Sequence, residues 1–324
     1  MQMRDEILKA LQTEYAQLRQ LNEEKHEARV REAIECCPEL EKLMGQREEM
    51  IYGALQGILR RTQKPVDLSK RMAEMNAKIR QTLVDAGLPE DTLEPVYRCS
   101  VCQDRGYTGE PIREMCDCMR KRFHEKIRES IGLKADGTET FESYDESLLS
   151  DEILPGQNCS QRTLTDKIRK FCKQWSENYP ETNIKNIMLM GETGLGKSFL
   201  MHAMAERLVS RDVPVLMISA WRFLEIARKS MFGEGEEEMN ELLETEVLML
   251  DDLGSEPMMK NITIEQLFNL INVRQNSGKA TVISTNLNTA NFREHYSERI
   301  ASRIMDARQS RVMTLMGDDL RRKR

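Results

Sequence analysis

Eight residues, GETGLGKS at Gly191–Ser198, lie between the apolar run Asn186–Met190 and the amphipathic run Phe199–Val209. That order predicts a strand, a glycine loop and a helix. Gly191, Gly194 and Gly196 let the backbone turn tightly and approach a polyphosphate, so that amide N–H groups and the following helix N-terminus face the anion. Lys197 has the reach for the outer phosphates, and the Ser198 hydroxyl suits Mg²⁺. Glu192, Thr193 and Leu195 fill the remaining loop positions. A glycine-rich turn alone would be weak evidence, but the full GxxxxGKS pattern between strand and helix is specific, and it implies a nucleoside triphosphate.

The chain has 324 residues, more than a nucleotide-binding core of roughly 150–200 residues needs, so further modules are expected. It is 40% hydrophobic and 5% aromatic with 21 Met, which suits a helix-rich protein more than an all-β one. The net charge of −6 provides no global attraction to nucleic acid, so any such binding requires a local patch. The opening MQMRDEILKALQTEY is charged and periodic, unlike a signal peptide, and no run approaches ~18 apolar residues. The expectation is a cytoplasmic chain with no membrane partner and reduced thiols.

Residues 1–90 predict a helical partner-binding module. Ile7, Leu8, Leu11, Tyr15, Leu18 and Leu21 make a narrow apolar stripe on a long charged helix that stops near Pro38. A second helix, carried by Leu40, Leu43, Met50, Ile51 and Leu55, runs to about Arg61. Pro65 separates it from a third around Met72, Met75, Ile79 and Leu83, which Gly87 and Pro89 stop. Such stripes pack on one another or on a partner's groove.

Residues 91–131 carry Cys99, Cys102, Cys116 and Cys118, a CxxC knuckle and a CxC joined by a loop long enough to fold back. Four thiolates at this spacing fit a closed tetrahedral Zn²⁺ site. A disulfide is disfavoured in the cytoplasm and the βαβ setting of a redox CxxC is missing, whereas spacing alone also admits an iron–sulfur cluster. His124 is an alternative ligand, though its basic helix MRKRFHEKIRES reads as solvent-facing. That helix can also touch phosphates through Arg120, Lys121, Arg122, Lys126 and Arg128. Cys36, Cys37, Cys159 and Cys172 lack ligand spacing. Residues 132–160 are polar and turn-rich, a linker in which Phe141 and Tyr144 either line an adenine pocket or anchor the segment to the core.

Residues 161–324 read as an α/β nucleotide fold. A helix over 162–179 precedes the glycine loop, and apolar strands follow at 213–220, 247–254 and ATVISTN, with RVMTLMG last. Alternation of such strands with helices implies a parallel sheet covered on both faces. Asp251 ends an apolar strand, as a Mg²⁺-holding carboxylate must, and Asp252 beside it can orient or deprotonate water. Asn286 at the next strand end can meet the γ-phosphate or the lytic water, or simply cap a helix. Arg299, Arg303 and Arg308 in ERIASRIMDARQS are expected on one helix, where an arginine can reach a neighbouring subunit's nucleotide.

GETGLGKS, LMLDDLGSE, ISTN and ERIASRI, in this order, resemble the AAA+ ATPases of the DnaC/DnaI helicase-loader group and the related IstB-type transposition helpers. YRCSVCQDRGYTG followed by MCDC resembles the DnaI-like loaders, whose N-terminal region binds the replicative helicase. The resemblance implies an α/β P-loop AAA+ core with a parallel sheet and no full helical lid, preceded by a helical module and a small zinc knuckle. It also implies ATP, Mg²⁺ and Zn²⁺ as cofactors. Lys197 and Ser198 would hold phosphate and Mg²⁺, Asp251 Mg²⁺, Asp252 the catalytic water, Asn286 would be sensor I, Arg303 the arginine finger and Arg321 a sensor II match. The partners it implies are the replicative DNA helicase, single-stranded DNA and further copies of the chain when ATP is bound. DNA contact falls to the segment after the second strand, with Trp221, Arg222, Phe223, Arg228 and Lys229. The alternatives are a transposition helper acting with a transposase and a nucleotide-gated adaptor with little turnover.

Overall fold

The computed structural model describes residues 2–59, 66–109, 111–134, 138–257 and 259–323. The chain forms two compact units, Lys9–Arg120 on the one hand and Met1–Leu8 with Lys121–Arg324 on the other. The expected break between the second and third helices, Arg61 to Pro65, lies outside the described residues.

Three helices begin the chain: α1 (Gln2–Cys36), α2 (Glu39–Leu59) and α3 (Val66–Asp85). Pro38 cannot donate to an α1 carbonyl, and α1 gives way to α2 around it. Gly87, at φ 73°, ends α3 with the Leu88 N–H donating to the Leu83 carbonyl at 2.9 Å, the left-handed stop expected of glycine. Ala33, Leu40, Ile79 and Leu83 form the buried centre where the three helices meet, with Leu43 and Met75 packed against it. Along α1 itself, Leu11, Asn22 and Ala33 are the buried positions among the described residues. They lie three turns apart on one face, the observed form of the narrow stripe. A short antiparallel ribbon follows, β1 (Tyr107–Thr108) against β2 (Glu114–Met115), and leads into α4 (Asp117–Ser130).

The larger unit continues with α5 (Gln161–Asn178), β3 (Asn186–Met190), α6 (Lys197–Val209), β4 (Val215–Ser219), α7 (Ala220–Met231), α8 (Glu236–Glu244) and β5 (Val247–Leu253). Then come α9 (Lys260–Asn276), β6 (Ala280–Thr285), α10 (Thr289–Tyr296), α11 (Glu298–Ile304) and β7 (Ser310–Thr314). The five strands form one parallel sheet in the order β4-β5-β6-β3-β7. Met188, Met190, Leu248, Leu250 and Ile283 bury one face against Phe223, Leu267 and Ile271 of α7 and α9. Helix α6 covers β4, β5 and β6 on the other face and packs on α5. Full burial of a side chain such as Leu248 or Leu250 contributes about 1.5–3 kcal/mol, which is why these strands read as continuous apolar runs.

Two local features depart from the sequence reading. Helix α11 ends at Ile304, so Arg308 does not share it with Arg299 and Arg303. The Asp306 carboxylate instead accepts the Arg308 N–H at 3.1 Å and its guanidinium at 2.7 Å, folding the chain into a turn. Helix α6 starts at Lys197, earlier than the amphipathic run at Phe199, because Gly196 at φ 89° serves as its N-cap.

Candidate functional site

The glycine loop joins β3 to α6. Lys197 is 7% exposed, and its ammonium donates to the Gly191 and Glu192 carbonyls at 2.7 and 2.8 Å. Burial lowers its pKa, and the nearby Asp252 and Asp251 carboxylates oppose that shift. A buried cation hydrogen-bonded to two carbonyls gains from an arriving phosphate.

The carboxylates come from a bulge. The β5–β6 register shifts between Leu250 and Leu253, and Asp252 takes φ 58° there. A bulge of this kind re-aims side chains at a strand end. Asp251 accepts hydrogen bonds from Ser198 Oγ, at 3.2 Å, and from Ser284 Oγ. The same Ser284 oxygen accepts the Asp252 N–H at 2.8 Å. Strand β6 lies between β3 and β5, so a β6 serine is the side chain that can bridge them. Below the bulge, buried Glu256 accepts the Gly254 N–H at 2.8 Å and the Tyr296 hydroxyl, which fixes the turn that follows Asp252. Ser284 and Glu256 are site-supporting residues to which the sequence analysis assigned no role.

Lys197, Ser198, Asp251, Asp252 and Ser284 line one cavity of about 510 Å³, together with Thr193, Gly194 and Gly196. Tyr144, Leu148, Leu320 and Arg321 also line it. Tyr144 stacks edge-on against Phe199 with ring centroids 5.3 Å apart. Its buried hydroxyl has no hydrogen-bond partner among the described residues, and burial pushes its pKa up to about 12. Arg321 is held by Asp319, whose carboxylate lies so close to Gly194 that a Cβ there would meet Asp319 Oδ1 at 1.9 Å. The Leu320 N–H donates to the Gly194 carbonyl at 3.0 Å, and Gln161 grips Asp318 through both backbone groups, at 3.0 and 3.2 Å. The segment after β7 is therefore folded onto the phosphate loop. A buried lysine, a tyrosine hydroxyl without a partner among the described residues, a loop with glycine at three positions and paired carboxylates fit a Mg²⁺-bound nucleoside triphosphate.

The structure does not bring Asn286 or Arg303 into this cavity. Asn286 lines a second one, of about 590 Å³, that borders the loop through Gly191, Glu192 and Leu195. Arg303 donates to Asn272 Oδ1 at 2.7 Å and sits 4.8 Å over the Phe268 ring, which Arg299 also covers at 3.9 Å. Phe141 is fully buried and anchors the linker, whereas Tyr144 faces the nucleotide cavity. Phe223 is core; Trp221 is 53% exposed at the start of α7, and Phe232 beyond its end is 77% exposed.

In the smaller unit, Cys99, Cys102, Cys116 and Cys118 place all four sulfurs within 4.8 Å of one another. Cys99 and Cys116 lie 4.0 Å apart and Cys102 and Cys118 3.5 Å apart, bracketing the roughly 3.8 Å edge of a tetrahedron with Zn–S near 2.3 Å. The Cys102 amide draws the Cys99 thiol down to about 7, while burial pushes Cys118 up. The donor set fits Zn²⁺, which would hold the knuckle closed as a structural centre. His124 is not among the ligands; its Nε2 pairs with Asp212 at 2.9 Å.

Residues 165–324 match the family described as IstB-like ATP binding protein. The replicative helicase loader DnaI of Bacillus subtilis (strain 168) is 24% identical over 290 residues, covering 78% of this chain and 89% of that protein. The replicative helicase loader DnaC of Escherichia coli (strain K12) is 24% identical over 163 residues, covering 46% of this chain and 63% of that protein. A crystal structure of DnaI is 21% identical, covers 56% of this chain and 89% of its own, and superposes with a TM-score of 0.44. Residues 165–324 are thus similar to the IstB-like ATP binding proteins, and the chain is similar to the replicative helicase loaders DnaI and DnaC.

Proposed function

We propose that this protein loads the replicative DNA helicase onto single-stranded DNA, with ATP binding and hydrolysis switching its hold on helicase and DNA. The observation that carries the reading is the reach of the DnaI similarity, 78% of this chain, well beyond residues 165–324 and into the helical and four-cysteine region. In this reading residues 1–90 grip the helicase, 91–131 form a zinc knuckle, 132–160 are a linker and 161–324 are the ATPase. Lys197 and Ser198 would hold the phosphates and Mg²⁺, Asp251 would supply a further oxygen ligand for the metal, and Asp252 would orient the attacking water. Arg321 exchanges Asp319 for a phosphate oxygen when nucleotide enters. Asn286 senses the γ-phosphate from β6. Arg303 serves a neighbouring copy's nucleotide, which makes hydrolysis depend on self-assembly. DNA contacts fall on the exposed side chains of α7, chiefly Trp221, Arg222 and Arg228, by stacking and phosphate pairing.

A second reading, a helper ATPase acting with a transposase, draws on the IstB-like description of the core match. The two separate in one experiment. The full-length protein, with its zinc retained, is mixed with purified replicative helicase and ATP and run on a sizing column. Co-elution is the expected result, and separate elution would move the assignment to the second reading.

A further inference from the structure

Helix α1 touches the cysteine centre at two points. The Tyr15 hydroxyl donates to Cys118 Sγ at 3.3 Å. Its ring lies against Gly106, where a Cβ would meet Tyr15 Cδ1 at 3.4 Å and Met119 Sδ at 2.4 Å, so glycine is what lets helix, knuckle loop and CxC come together. Two turns further along, Asn22 Nδ2 donates to Asp104 Oδ2 at 2.8 Å. Asp104 is 1% exposed, and its carboxylate also accepts the Arg98 N–H at 2.9 Å and the Cys99 N–H at 2.8 Å. It therefore shapes the turn that presents Cys99, a turn in which Gln103 and Asp104 both hold positive φ, at 51° and 56°. Tyr15 and Asn22 are seven residues apart and share one face of α1. One reaches the CxC half of the cluster and the other the CxxC half.

On the reading of this cluster as a metal centre, we propose that Tyr15 and Asn22 are positioning residues of that centre, and that metal binding is what locks the middle of α1 onto the knuckle. Four thiolates around Zn²⁺ leave two net negative charges on the sulfurs. A hydroxyl donor to one of them would disperse that charge and strengthen the sulfur's hold on the metal, as outer hydrogen-bond partners do at metal sites generally. The coupling runs both ways. With metal bound, the four cysteines would be held at the separation that α1 bridges; without it, the two halves would be free to part and the helix would lose its two polar attachments together. The metal state is thereby reported along α1, the first helix of the module assigned above to helicase binding.

The test uses the full-length protein and Tyr15→Phe, which removes the hydroxyl and keeps the ring. Metal content is measured first, then zinc release to a chromogenic chelator, then amide hydrogen exchange before and after chelation. The expected results are one zinc per chain in both proteins, zinc held about 10- to 100-fold more weakly in the variant, and amides around residues 12–24 that exchange faster once the metal is removed. Asn22→Ala should shift release in the same direction. Unchanged zinc affinity in both variants, or unchanged exchange in α1 on chelation, would overturn the inference while leaving the metal centre intact. A purified protein that binds no metal at all would overturn both.

Discussion

Asp252 sits at φ 58°, a left-handed conformation that costs a non-glycine residue about 1–2 kcal/mol. Its N–H bond to Ser284 and the Glu256–Gly254–Tyr296 network hold it there. Ser284 also donates to Asp251, so a single hydroxyl positions both carboxylates of the site. Ser284→Ala should lower ATP turnover by roughly 10- to 100-fold, the equivalent of the about 1.5–3 kcal/mol that a hydrogen bond to a charged group is worth. Nucleotide affinity should change much less; steady-state turnover and equilibrium binding of a fluorescent nucleotide separate the two, and equal losses in both would count against a positioning role. The strand, glycine loop and helix around Lys197 were legible because local residue types set them: an apolar run, glycines where the backbone takes positive φ, and an amphipathic run. Ser284 and Glu256 were not. Their roles depend on β6 lying between β3 and β5 and on α10 bringing Tyr296 under the bulge, neither of which local residue types encode.

Among the elements, the segment around Glu142 and Tyr144, which reaches the cavity at the glycine loop, is held by charge. The Glu142 carboxyl, bonded to Lys173 and close to Arg207, is held down at about 2 from an ordinary 4.5. Its folded value lies below its unfolded one, so its contribution is complete above about pH 4.5 and is lost as the pH falls toward 2. Thermal unfolding of wild type and Glu142→Gln should therefore differ at pH 6 and converge progressively as the pH falls from about 4.5 toward 2; a difference independent of pH would contradict the pairing. Helix α9 shows what sequence reading misses. Its Arg274 looks like a surface residue of a helix's last turn, yet it is fully buried, donating to the Leu242 and Thr245 carbonyls at 2.7 and 2.8 Å, with its pKa brought down to about 10 by burial. The guanidinium closes the end of α8 onto the start of β6, a tertiary use that periodicity cannot announce. The same helix supplies Phe268, the platform under Arg299 and Arg303. Arg303→Ala should bind nucleotide normally and hydrolyse it about 10³-fold more slowly or worse. Mixing it with Lys197→Ala should recover part of the turnover if, as proposed, Arg303 serves a neighbouring copy's nucleotide, because each variant would then lack a different half of the site. Absence of any recovery would argue against an arginine acting between copies.

At the scale of the whole molecule, the α/β core and its strand directions followed from the apolar runs, and the helical first part from its stripes. The order β4-β5-β6-β3-β7 did not, because strand order is a property of crossovers and not of any one strand. The account joins a nucleotide site in one unit to a helical, cysteine-bearing unit through a single proposed task, and that task is measurable on closed circular single-stranded DNA coated with single-strand-binding protein. With the full-length protein, ATP and purified replicative helicase, the account predicts that helicase becomes bound to the circle and unwinds an annealed strand, whereas Lys197→Ala supports neither. Unwinding that is the same with, without or with the Lys197→Ala form of this protein would contradict it.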